Sequence, residues 1–238
     1  IRLTGELLAK IRSFSEENIW NEGVDRELLW ANYLFTQAAG YELRKTPEKA
    51  EFLRQQGFIA YRGVNRDQLR EADWTAWAQR LEQQAERENK LLDADVLMDI
   101  HDKLERALAF NPLGVSSNKM LSETSLTIMA GTPPEEWGDL AGKAYARFAL
   151  SSGLPPAGAR AFDTWSQALH QAAARVENYA RSAGLEEPGQ TEKAESVKAV
   201  RLLAERFAAA ALLTVGERRD FLAALYPEAL QGVPPARP

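Results

Sequence analysis

The sequence predicts an all-α fold, an irregular bundle of about eight to ten helices with a long antiparallel pair near the C-terminal end. Three observations carry this. Strong helix formers (Ala, Leu, Glu, Arg, Gln) dominate the 238 residues, while Val, Ile and Thr are comparatively scarce. Apolar residues recur at i, i+3, i+4 and i+7 rather than in alternation. Capping residues stand in front of several of these runs.

Taken in order, Asp25 caps a helix carrying Leu28, Phe35, Ala39 and Leu43. Thr46-Pro47-Glu48 opens the next, with Thr46 as cap and Pro47 at the first helical position, and Gly57 marks its end. The following stretch, Gly57–Val64, is apolar enough for a buried turn or a short strand. Asn65-Arg66-Asp67-Gln68 has capping-box spacing and is expected to start a long helix through Trp74, Trp77, Leu81 and Ala85. Asp93 caps another, with Leu97, Ile100, Leu104 and Ala107 on one face. After a polar loop at 111–118, a partly buried helix from about Asn118 is expected, despite irregular spacing of its apolar residues. Thr132-Pro133-Pro134-Glu135 launches a helix to about Ser152, where Gly153-Leu154-Pro155-Pro156 breaks it.

The clearest signal comes next. Phe162, Trp165, Leu169, Ala172, Val176, Tyr179 and Ala183 form a 3-4 seam that calls for a partner helix, and Gly184 ends it. Val197, Val200, Ala204, Phe207 and Ala211 form a second seam. The short Leu185–Gln190 connection makes the pair 159–183 and 191–213 antiparallel neighbours. A last helix runs from about Glu217 to Tyr226 and stops at Pro227.

Residues 1–230 read as one continuous helical domain, with 111–118 and 153–156 as the places where a sub-boundary would fall. Residues 231–238 read as a linker-like tail. The first residue, Ile1, together with that tail, suggests a domain cut from a longer chain.

Composition excludes several classes. The net charge is −5, and neither residues 1–150 nor 151–238 has the basic excess that neutralising many phosphates requires, so no nucleic-acid partner is expected. There is no cysteine, hence no thiol nucleophile or thiolate metal site, and with two histidines there is no histidine-rich one. No run of apolar residues spans a membrane. No Walker A loop, GxGxxG or GxSxG occurs, and no cofactor is implied.

A few constellations remain. Asp95, Asp99 and Asp102 share a helix face where carboxylates could hold Mg²⁺ or Mn²⁺; the alternative is a solvated face neutralised by Lys103 and Arg106. His101-Asp102 resembles the central dipeptide of the HD phosphohydrolases, but no histidine precedes His101 to complete that ligand set. His170 lacks an orienting carboxylate nearby in sequence. Ser116 stands three residues before Lys119, a spacing used by penicillin-binding enzymes, without their KTG element. Phe58–Gly63 resembles the strand that begins an ADP-ribosyltransferase site, which would put Arg62 on a strand; the mixed β architecture that family needs is not expected here. Of six tryptophans, most should anchor the core, while Trp74 or Trp77, on a very polar helix, is a candidate exposed anchor for a partner. The expected function is a non-enzymatic interaction or scaffold domain with a protein partner. The alternative is an enzyme or a small-ligand or metal-binding domain built around the 93–102 helix.

Overall fold

The computed structural model describes residues 25–182 and 187–230, together with Ala9. Trp20, the Ala183-Gly184 helix stop, the N-terminal residues and the 231–238 tail lie outside the described residues. Among the described residues there are nine α-helices, three short 3₁₀ turns and no strand, as the helical spacing predicts. The chain divides into two compact units, residues 1–69 and 70–238.

The first unit is a helical hairpin of α1 (Arg26–Leu43) and α2 (Pro47–Gly63). Asp25 caps α1 by accepting from the backbone N–H of Glu27 at 2.8 Å and Leu28 at 3.2 Å. Its second carboxylate oxygen accepts from the N–H of Asn65 at 2.8 Å, just past the end of α2. Leu34, Ala38 and Leu53 form the apolar centre. Gly57 does not end α2. It lies inside the helix because a Cβ there would meet the Phe35 ring at 2.7 Å, so glycine is what lets the helices approach. The Gly57–Val64 segment is therefore helical through Gly63, neither a turn nor a strand. The buried Arg54 lies between Glu42 at 2.7 Å and Glu51 at 2.9 Å.

The second unit holds α3 (Glu71–Arg87), α4 (Ala94–Phe110), α5 (Val115–Gly131), α6 (Leu140–Ser152), α7 (Ala159–Ser182), α8 (Glu187–Ala210) and α9 (Val215–Leu225). Two expected helix starts shift. Asn65–Gln68 makes only a 3₁₀ turn, and α3 begins at Glu71, where Asp73 accepts from the Arg70 N–H at 3.0 Å. Thr132 closes α5 instead of opening α6: its hydroxyl donates to the Ile128 carbonyl at 2.9 Å. Pro133 and Pro134 lead into a 3₁₀ turn, and Gly138 takes φ +50° before α6 starts. Gly153, left-handed at φ +64°, ends α6 as its sequence position predicts.

Helix α5 is the hub, packed against α4, α6, α7 and α8. The α7 and α8 seams bury each other: Phe162, Trp165, Leu169, Val176, Val200, Ala204 and Phe207 are all inside. The Ser166 hydroxyl donates to the Ala204 carbonyl at 2.8 Å, and Arg201 pairs with Glu177 at 2.7 Å, which fixes the antiparallel register. Tyr145 of α6 sits at the centre of an aromatic cluster, with the rings of Phe162, Trp165, Phe207 and Tyr226 5.3–6.2 Å away. A smaller core joins α3, α4 and α5 through Ala78, Ile100, Leu104, Leu108 and Leu121. Both stretches expected as sub-boundaries, 111–118 and 153–156, lie within this unit.

Candidate functional site

The acidic helix and the tryptophan pair, separate expectations from the sequence, meet in one assembly. Trp74 and Trp77 project from α3 and stack with centroids 5.5 Å apart and planes 2° from parallel. Lys103 and Arg106 of α4 lie over them: the Lys103 ammonium is 5.2 Å from the Trp77 centroid and the Arg106 guanidinium 5.3 Å from that of Trp74. The aspartates hold these cations in place. Asp99 pairs with Lys103 at 2.5 Å, and Asp102 with Lys103 at 3.3 Å and Arg106 at 2.9 Å. Burial alone would raise the Asp102 carboxyl, but hydrogen bonds from Arg106 and Lys103, and their charges, hold it below its ordinary value.

Two expectations are corrected by this geometry. Trp74 and Trp77 are 2% and 6% exposed, so neither is a surface anchor; the cation roof covers the rings. Asp95, Asp99 and Asp102 do not assemble a metal site. Asp99 and Asp102 face lysine and arginine, and Asp95 stands apart in the first turn, its backbone N–H bonded to the Asp93 cap at 3.0 Å. Among the described residues, no three His, Asp or Glu side chains are grouped so as to hold a metal ion.

The other polar candidates stay dispersed. His101 is half-buried; burial pushes its imidazole below the ordinary value, with Arg147 and Lys143 adding to the effect and Glu105 and Asp102 opposing it. Arg147 is itself engaged, donating to Glu105 at 2.8 Å and to the Asn118 side chain at 3.4 Å. His170 is exposed on α7. Ser116 and Lys119 are both exposed, and Lys119 reaches Glu123 at 3.9 Å. Arg62 is exposed on the last turn of α2, which is helix and not the strand an ADP-ribosyltransferase site would need.

Sequence reading missed a polar knot at the start of α5. Ser117, fully buried, donates to Glu71 at 2.8 Å and lies 2.8 Å from the Thr75 hydroxyl. Asn111 donates to the other Glu71 oxygen at 2.6 Å. The Glu71 carboxylate thus stands at the positive end of the α5 dipole, supplied by another helix because the cap residue, Gly114, has no side chain. A Cβ on Gly114 would collide with that carboxylate. Further along α5, Ser122 donates to the Ala144 carbonyl at 3.0 Å and Ser125 to that of Leu121 at 2.7 Å. These hydroxyls are buried and hydrogen-bonded, as close helix packing requires. The Asn-Pro-Leu-Gly turn at 111–114 was the available signal, but its carboxylate partner is 40 residues away.

A second feature appears only when the turns are placed in space. Helices α5 and α6 are antiparallel, so the α4–α5 turn lies at the same end as the C-terminus of α6. Arg218, buried, donates to Ala157 at 2.8 Å, to Ala211 at 3.2 Å and to Leu213, which sets the α6–α7 and α8–α9 connections side by side. All three connections therefore share one end of the second unit. None carries a charge: residues 107–118, 148–159 and 207–216 contain no Asp, Glu, Lys or Arg. Large apolar side chains stand out to solvent there, with Leu212 90% exposed, accompanied by Phe110, Leu113, Val115, Leu150 and Val215. The connections at the other end, 88–93 and 132–139, hold Glu88, Lys90, Asp93, Glu135, Glu136 and Asp139.

Comparison with protein-family models, with curated proteins and with solved structures gives no match.

Proposed function

We propose that the chain is a non-enzymatic protein–protein interaction domain and that the end of its second unit bearing Leu212 is the docking surface. The observation that carries this reading is the concentration of exposed Leu, Phe and Val on three adjoining uncharged connections. Single exposed apolar side chains are ordinary; their gathering at one end is not. Burying a leucine is worth about 1.5–3 kcal/mol, so a few of them at the centre of a contact would supply much of a moderate affinity. Asp95, Asp99 and Asp102 lend no comparable support to a ligand site, since Asp99 and Asp102 already face the chain's own cations. No helix among the described residues is long and apolar enough to cross a membrane.

Site-specific photo-crosslinking tests the reading. A benzophenone side chain would replace Leu212, or His170 on the exposed face of α7 as control, in cells that produce the chain. Protein adducts at 212 and not at 170 are expected. Equal labelling at both positions, or none at either, would sink the proposal.

A further inference from the structure

We infer that the segment docking on this end is both acidic and apolar: a stretch of another protein whose large apolar side chains are flanked by Asp and Glu. The inference rests on the interaction reading above and deepens it to the chemistry of the partner.

The margin of the apolar end carries the argument. The first charged residues on either side of its three connections are Arg106 and Lys119, Arg147 and Arg160, and Arg206 and Glu217, five cations to one carboxylate. Glu71, bonded to Asn111 and Ser117, adds a second carboxylate. Arg106 is taken up by Asp102 at 2.9 Å and Arg147 by Glu105 at 2.8 Å. The other three cations, one beside each connection, are exposed. Lys119 lies 3.9 Å from Glu123, at the limit of an ion pair. Arg160 forms no ion pair among the described residues, and Arg206 lies 5.8 Å from the centroid of the Phe221 ring with no carboxylate on it. Glu217, by contrast, is occupied: it accepts from the backbone N–H and the hydroxyl of Thr214 at 2.8 and 2.7 Å. Leu212 and its exposed neighbours are therefore bordered by open cations, on a chain whose net charge is −5.

An acidic, apolar segment complements both parts. Its apolar side chains cover Leu212 and the residues around it, and its carboxylates reach Lys119, Arg160 and Arg206 at the rim. Rim charges of this kind add little affinity each, but they steer the approach and reject a basic segment. A second copy docked about a two-fold axis would bring the same three cations against their equivalents. An anionic bilayer is a poorer match than a peptide. Lipid-binding clusters use about four to eight basic residues, where three are open here, and a flat surface would also press on Glu71 and Glu217.

The crosslink at position 212 also tests the chemistry of the partner. Mass spectrometry of the adduct identifies the segment joined to it, and that segment is expected to carry more Asp and Glu than Lys and Arg around its apolar residues. Made as a fluorescent peptide, it is expected to bind the full chain with an affinity that falls as salt rises. Arg160→Glu should weaken binding by about threefold, and Lys119→Glu, Arg160→Glu and Arg206→Glu together by about tenfold or more. Lys198→Glu, at an exposed lysine of α8 outside the three connections, should leave it unchanged. Circular dichroism checks that the variants stay folded, and the salt dependence reads the same charge effect on the unaltered chain. A neutral or basic segment, a second copy of this chain, or binding indifferent to salt or to the three reversals overturns the inference and leaves the interaction reading standing. If position 212 yields no protein adduct and the chain sediments with vesicles of phosphatidylcholine and phosphatidylserine in equal parts, the occupant is a membrane and both fail. No adduct and no vesicle binding sinks both as well.

Discussion

The second unit is held together in two different ways. The α7–α8 pair and the Tyr145 cluster rest on apolar burial: the seam residues are inside, and ring packs on ring. The corner formed by α3, α4 and the start of α5 rests on polar fastening: two stacked indoles under a lysine and an arginine, and a carboxylate knotted to Ser117 and Asn111. The difference teaches how each part responds to change. Apolar packing is costly to hollow out, whereas polar fastening depends on geometry and on charges that salt screens.

The sharpest way to break the first region is Phe207→Ala. Phe207 is fully buried against Tyr145, Phe162, Phe221 and Tyr226, so the truncation is expected to lower unfolding free energy by about 3–5 kcal/mol, read from urea denaturation. A smaller blow to the second region needs only one added methyl. Gly114→Ala places a Cβ where the Glu71 carboxylate lies, and is expected to cost about 1–3 kcal/mol. Since the clash is with a carboxylate, combining it with Glu71→Ala should cost less than the sum of the two single changes, which a double-mutant cycle measures.

The smallest expected effect separates the regions by pH. Burial pushes the Tyr145 phenol well above its ordinary value of 10.0. An acid with a raised folded pKa gives stability that is complete below its unfolded value and lost as the pH climbs past about 10. Asp102 runs the other way. Its folded pKa lies below the ordinary 3.8, so its contribution is present above that value and lost as the pH falls through the folded one. Thermal melts of Tyr145→Phe should therefore lose part of the alkaline decline, and those of Asp102→Asn part of the acid decline. The Asp102 effect should be modest, because that side chain is half exposed. If each variant alters the decline at both pH extremes alike, the two regions are not distinct in the way described.

The same contrast explains what could be read in advance. The α7 and α8 seams were legible because apolar periodicity is a property of neighbouring residues, and the partner seam follows within a few turns. Asp25 and Asp93 were legible as caps because an N-cap bonds to N–H groups two and three residues on. The polar corner was not. The cations over Trp74 and Trp77 come from about thirty residues downstream, and the polar stretch after the indoles points to solvent where Lys103 and Arg106 in fact lie. Gly57 reads as a helix stop because glycine favours that role, yet here it makes room for Phe35. Capping boxes at Asn65 and Thr132 had the right letters but stood before 3₁₀ turns, with α3 and α6 starting several residues later. The apolar end is written in the sequence as three stretches without charge, but that they share an end follows only from the antiparallel course of the helices and from Arg218.

Asp25 carries one more implication. With one oxygen it holds the first turn of α1, and with the other the backbone of Asn65. The polypeptide thus arrives at the hairpin and departs from it at nearly the same point, like thread returning through one buttonhole. The two helices between are a loop-out whose removal would leave a gap that a very short splice could bridge. Conversely, a reporter or binding peptide grafted ahead of Asp25 would be delivered beside Asn65, next to where the chain resumes.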